Sequence, residues 1–140
     1  MQVDPRGQRF AAALTTLVLA AALAFAQPWV LGLQAAVFAV GVLAGVRYSP
    51  YALLFSAVVR PRIGPPSETE DARPPRFAQG VGLAFAALGL TGYLVGPEWL
   101  GAAATALALT AAFLNAAFGL CAGCEVFLLG RRLAAAGKSA

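Results

Sequence analysis

Four long stretches of this chain contain no charged residue at all. They run from Phe10 to about Ala26, from Val30 to Val46, from Phe77 to Val95 and from Leu100 to about Leu120. A bilayer core about 30 Å thick is crossed by roughly 20 residues of helix. Backbone entering lipid must also satisfy its own hydrogen bonds, which a single helix does. The pattern therefore predicts an all-α integral membrane protein with four transmembrane helices. Composition agrees: 60% of the residues are hydrophobic, 11% are charged and the mean hydropathy is +0.76, whereas soluble domains carry about 25% charged residues.

The breaks between the runs set the topology. Gln27-Pro28-Trp29 separates the first two and Gly96-Pro97-Glu98-Trp99 the last two. Each is a tight turn with a tryptophan suited to the headgroup level, so the runs pair into two hairpins. After Arg47 comes the proline-containing break Tyr48-Ser49-Pro50-Tyr51. The apolar Ala52 to Val59 that follows is too short to cross and predicts a short interfacial helix, ended by Arg60-Pro61-Arg62. Ile63 to Arg76 reads as a solvated loop, with Pro61, Pro65, Pro66, Pro74 and Pro75 around the acidic Glu68-Thr69-Glu70-Asp71. The Ser67-to-Glu70 spacing matches a capping box, but Pro74-Pro75 leaves that helix no room. In the third run Ala78, Gly82 and Ala86 recur every four residues, as do Gly92 and Gly96, a spacing that lets helices approach closely in lipid.

The two hairpins resemble each other. Arg9-Phe10-Ala11 begins one and Arg76-Phe77-Ala78 the other; Pro28-Trp29 and Pro97-Glu98-Trp99 turn them. Tyr48 to Tyr51 holds the place that Cys121-Ala122-Gly123-Cys124 holds later, and each half then reaches paired basic residues. We read residues 1–140 as a single membrane domain: repeat one at about 5–62, the hydrophilic linker at about 63–75 and repeat two at about 76–135, each hairpin followed by a short interfacial helix. Two copies of an even-span unit insert the same way up, related by an axis along the membrane normal. Arg6, Arg9, the first apolar run and Ala24-Phe25-Ala26 also fit a cleaved signal peptide; removing it would destroy the first copy.

Orientation follows from charge. The chain has ten Lys and Arg residues and a net charge of +4. All ten lie in the N-terminal stretch, the centre of the chain or the C-terminal stretch, and none in the two hairpin turns. The positive-inside rule makes the basic side cytoplasmic. The expected location is the cell membrane, multi-pass, with both termini in the cytoplasm. Basic charge so placed calls for a lipid bilayer as partner, not nucleic acid. With no histidine, imidazole catalysis and histidine-ligated haem are excluded within one chain.

Chemistry concentrates at Cys121 and Cys124, the only two cysteines. Inside a helix, residues at i and i+3 hold their Cβ atoms about 5–6 Å apart, while a disulfide needs about 3.5–4.5 Å. Gly119 and Gly123, with Pro50 at the equivalent place in the first half, predict a helix break that would put Cys121 at the N-terminus of a final short helix. There the helix dipole and free N–H groups favour a thiolate. In the cytoplasm the resting form would be the dithiol. The plain alternative is that the cysteines only pack at a helix end. Zinc would lack two of its four ligands unless a second chain or a soluble partner supplied them, so no metal and no cofactor is called for. Glu125 is a candidate proton relay or a solvated side chain. Asn115 faces a partner helix or a ligand. Tyr48, Ser49 and Tyr51 are candidates to face a substrate or partner opposite the cysteines, or to form an interfacial aromatic belt. Gln34, Gln79, Thr91 and Tyr93 read as polar contacts between helices.

Tyr48-Ser49-Pro50-Tyr51, then Val59-Arg60-Pro61-Arg62, then Phe118-Gly119-Leu120-Cys121-Ala122-Gly123-Cys124-Glu125 together resemble a family of small bacterial membrane proteins catalogued only as a domain of unknown function. The resemblance covers nearly the whole chain, with F-G-x-C-x-G-C as its specific signature. The alanine-rich composition resembles an actinobacterial member. It implies four spans and, through neighbouring genes, a soluble thioredoxin-like or sulfurtransferase partner; it implies no activity. Three functions are expected: thiol-disulfide or sulfur-transfer chemistry with Cys121 attacking and Cys124 resolving; a non-enzymatic scaffold or membrane-complex subunit with structural cysteines; or a conduit for a small sulfur species along a polar path beside Asn115 and Thr91.

Overall fold

In the computed structural model, which describes residues 2–65 and 67–139, almost every residue is helical. The chain begins with β1 (Gln2–Val3), then α1 (Pro5–Phe25) and α2 (Pro28–Leu43). A turn leads into α3 (Pro50–Leu54), which continues through a π-helical turn (Phe55–Val59) into α4 (Arg60–Ile63). After β2 (Glu70–Asp71) come α5 (Arg73–Leu94), α6 (Glu98–Phe118) and α7 (Ala122–Ser139). Pro66, and the side chains of Glu70 and Lys138, lie outside the described residues.

Three helices, α1, α5 and α6, are long and apolar enough to cross a membrane. The second apolar run yields a shorter helix than expected. α2 has 16 residues and ends at Leu43, so it rises about 24 Å. Gly45, at φ 110°, turns the chain out of the helix before Arg47.

Helix starts fall earlier than the apolar runs. Asp4 caps α1, its side chain accepting the Arg6 N–H, and Pro5 occupies the first turn, where a missing N–H loses nothing. The same reasoning corrects the expected loop at Pro74-Pro75. Both prolines sit in the first turn of α5, so they start a helix and do not forbid one. The linker is correspondingly shorter and is tied down: β2 pairs antiparallel with β1, Val3 opposite Glu70 and Gln2 opposite Asp71.

α1, α2, α5 and α6 close into a ring in the order α1–α2–α5–α6, each neighbour antiparallel. Leu19, Ala22, Leu31, Phe38, Ala86 and Ala108 fill its centre. Glycine brings α5 and α6 together: a Cβ on Gly92 would collide with the Gly101 backbone. The outer surface is apolar as well. Leu17, Phe25, Leu33, Leu107 and Phe113 are at least half exposed, as are Trp29 and Trp99 at the two turns. Such a surface is stable against acyl chains and not against water.

One set of contacts occurs twice. Arg6 chelates Asp4 through Nε and Nη2 (3.1 and 2.8 Å), and Arg73 chelates Asp71 through the same atoms (2.9 and 2.6 Å). Arg9 donates to the carbonyls of Ala116 and Ala117 at the end of α6, while Arg76 donates to those of Val42 and Leu43 at the end of α2. Each arginine thus caps the orphan carbonyls of a helix from the other half of the chain. Phe10 packs on Phe55 and Phe77 on Phe127, both with ring centroids 5.6 Å apart.

Candidate functional site

The chain breaks where the glycines indicated. α6 ends at Phe118, and Gly119 takes a left-handed φ of 69° that suits a residue without Cβ. Its N–H closes the helix on the Asn115 carbonyl (2.9 Å). Three residues later α7 begins at Ala122, so Cys121 stands just before the helix and Cys124 lies within its first turn. The Cys124 N–H donates to Cys121 Sγ (3.2 Å) and the Glu125 N–H to the Cys121 carbonyl (3.0 Å). Cys121 therefore occupies the cap position, its sulfur facing N–H groups that a helix leaves unpaired. The two cysteines are joined in a disulfide with Cα atoms 5.1 Å apart. α7 itself extends to 18 residues, longer than the short helix anticipated there, because Gly130 is accommodated and Arg131, Arg132 and Leu133 continue it.

Two close approaches fix this turn against the bundle. Gly123 abuts Ala78 at the start of α5, and a Cβ there would lie 2.6 Å from the Ala78 Cβ. Arg9 reaches across from α1 to the last carbonyls of α6, at 3.1 and 3.3 Å. A cation thus lies within two turns of sequence from Cys121, at the carbonyl end of the preceding helix.

Behind the disulfide is a partly open cavity of about 300 Å³ between α1, α5, α6 and the start of α7. Its deeper wall is apolar, with Phe38, Phe85 and Ala108. Nearer the arginine end it is edged by Gln8, Gln79, Asn115 and Cys121. Among the described residues no charged side chain lines it. The amides of Gln8, Gln79 and Asn115 make no hydrogen bond among the described residues. Thr15, also on the wall, is engaged: Gln34 Nε2 lies 3.5 Å from its hydroxyl.

The expected site residues therefore divide. Cys121 and Asn115 share the cavity. Cys124 is half-buried beside it, and Glu125 is exposed, away from its wall. Tyr51 turns inward, donating its hydroxyl to Gln34 Oε1 (2.7 Å), so that α3, α2 and α1 are joined through Tyr51, Gln34 and Thr15. Burial raises the Tyr51 hydroxyl above the usual tyrosine range and keeps it a neutral donor. Tyr48 is half-exposed, with the Arg47 guanidinium 5.6 Å from its ring centre, and lines a separate recess with Asp4 and Arg60. Ser49 is buried at the turn before α3. Thr91 bonds the Ala87 carbonyl of its own helix and is absent from the cavity wall.

Gln8 and Arg9 had drawn no site assignment from sequence. A signal was present: Asp4-x-Arg6-x-x-Arg9-Phe10-Ala11 and Asp71-x-Arg73-x-x-Arg76-Phe77-Ala78 are one pattern written twice. Only its last three positions stand out when the apolar runs are taken as the start of each helix.

No curated protein and no solved structure matches the chain. A family model described as a domain of unknown function (DUF4395) matches residues 3–132, nearly the whole chain and both halves of the ring. The protein is a member of the DUF4395 family.

Proposed function

We propose that this protein is a four-span membrane thiol-disulfide exchanger working at the cytoplasmic face through Cys121 and Cys124. The placement of Cys121 carries the reading: it lies outside the helix, its sulfur accepts the Cys124 N–H, and Cys124 is within bonding reach. A thiolate at that position is stabilised by the helix dipole and by the same N–H. In exchange, the Cys121 thiolate attacks a disulfide of a soluble thioredoxin-like protein and expels one partner thiolate. Cys124, deprotonated as it attacks, then displaces the second partner thiolate and leaves the Cys121–Cys124 disulfide; run backward, the same steps pass that disulfide to a soluble dithiol, whose thiolate attacks Cys121 and expels the Cys124 thiolate, and return both cysteines to thiols.

The membrane part rests on the apolar outer surface and the basic residues gathered at one end. α2 completes the fourth crossing, its length of about 24 Å made up at the ends by interfacial residues, as bilayers accommodate short helices. The doubled contacts at Arg6 and Arg73, Arg9 and Arg76, and Phe10 and Phe77 support a duplicated unit.

Two measurements test the exchange. Cys124→Ser should trap a mixed disulfide through Cys121, and Cys121→Ser should abolish trapping. Alkylation of the reduced protein against pH should place Cys121 below the ordinary thiol value of about 8.5. Equal, slow alkylation of both thiols with no trapped species would reduce the cysteines to packing residues.

A further inference from the structure

We infer that the cavity behind Cys121 is a binding site for a lipid-borne quinone, which reoxidises the cysteine pair; this rests on the exchange reading above. The cavity is partly open and lies among apolar helices, and among the described residues no arginine, lysine, aspartate or glutamate faces it. An anionic sulfur species or a charged peptide would find no counter-ion there, and burying an uncompensated charge is strongly unfavourable. A neutral ring fits. The volume of about 300 Å³ is at the lower end of small-molecule sites, enough for a one- or two-ring head. Phe38 and Phe85 offer flat walls for it.

The polar rim gives the chemistry. Gln8, Gln79 and Asn115 bring three unengaged amides to one rim. Each amide carries both donors and an acceptor, so the same groups can donate to quinone carbonyls and accept from the hydroxyls of the quinol. Either redox state is held without leaving a polar group unpaired. Cys121 forms part of this wall, and Cys124 lies behind it in the first turn of α7.

The reaction balances on these groups alone. The two thiols lose two protons and two electrons, and the S–S bond forms. The quinone takes both, its two carbonyls becoming the hydroxyls of the quinol. The quinol returns to the bilayer, leaving the disulfide ready for a soluble dithiol.

The test uses the full chain, reduced, in lipid nanodiscs under anaerobic conditions. Its probe is decylubiquinone, whose fully substituted ring resists conjugate addition by thiols. The expected result is loss of two thiols per chain with one quinone reduced, and none with Cys121→Ser. Asn115→Leu should lower the quinone-dependent rate, relative to oxidation by glutathione disulfide, by about tenfold, the worth of one lost hydrogen bond. Ala112→Trp, which fills the cavity, should lower the same ratio. Should the tryptophan variant fail to fold, the leucine variant still decides. Trapping of a soluble partner without quinone reduction, or ratios unchanged in both variants, would overturn the quinone site and leave exchange standing. Absence of trapping and of thiol reactivity would sink both.

Discussion

The arginine-rich ends of α1 and α5 are built alike; the segments that follow α2 and α6 are not. Both ends use an aspartate to hold an arginine two residues on, and a second arginine to cap a helix from the other half. After α2 the chain enters a helix that sends Tyr51 inward to Gln34, making a polar tie through the first half. After α6 it enters a left-handed turn, a cysteine cap and a cavity edged by unengaged amides. Beside the segment after α2, Tyr51, Gln34 and Thr15 are settled with one another. Beside the segment after α6, the amides of Gln79 and Asn115, with Gln8 from α1, stay unengaged among the described residues. The contrast lies between the two segments and their surroundings.

The contrast can be attacked most strongly at Gln34. Leucine there would strand the Thr15 and Tyr51 hydroxyls, lowering stability by about 1–2 kcal/mol. Thermal unfolding in mild detergent should show it, with thiol trapping retained. A large loss of trapping would mean that the two segments do not divide their roles. Next comes Gly119→Ala, which forces a side chain into a left-handed conformation that opposes it by about 1 kcal/mol. Its effect should fall chiefly on Cys121, seen as slower alkylation at fixed pH. Arg9→Gln and Arg76→Gln should each remove about 0.3–1 kcal/mol of helix-end stabilisation. Only Arg9→Gln should also slow Cys121, because its target carbonyls immediately precede the cysteine turn; equal effects on alkylation would erase the distinction.

The smallest effect is acid sensitivity of the shared device. The Arg6 guanidinium lowers the Asp4 carboxyl below its usual range, and Arg73 holds Asp71 down to about 2. Carboxyls depressed in the folded state stabilise it above their unfolded value of about 3.9 and lose that contribution as pH falls through the folded value. Unfolding temperature should be flat from neutrality to about pH 4 and decline toward pH 2. Asp4→Asn with Asp71→Asn should flatten the decline.

How much of this could be read from residues alone depends on what kind of signal each feature leaves. Apolar runs and breaks at Gly119 are local, and local patterns locate helices and their ends. Helix starts at Pro5 and Arg73 lie outside the apolar runs, because caps and first-turn prolines need no hydrophobicity. The cavity leaves no linear trace: Gln8, Gln79, Asn115 and Cys121 come together only once the ring closes. Arg9 and Arg76 are legible in the sequence as basic charge beside apolar runs, but which carbonyls they reach is a property of the assembled helices.

Those two arginines have a further consequence for how the chain can be divided and reassembled. Neither half caps its own second ring helix; each draws on a cation supplied by the other. A single half expressed alone would be left with bare helix ends unless it met another copy lying beside it. Two fragments cut within the linker and produced together carry complementary plugs for one another. The linker is thus not the only tie between the halves: the exchanged arginine caps add to the packed core that closes the ring.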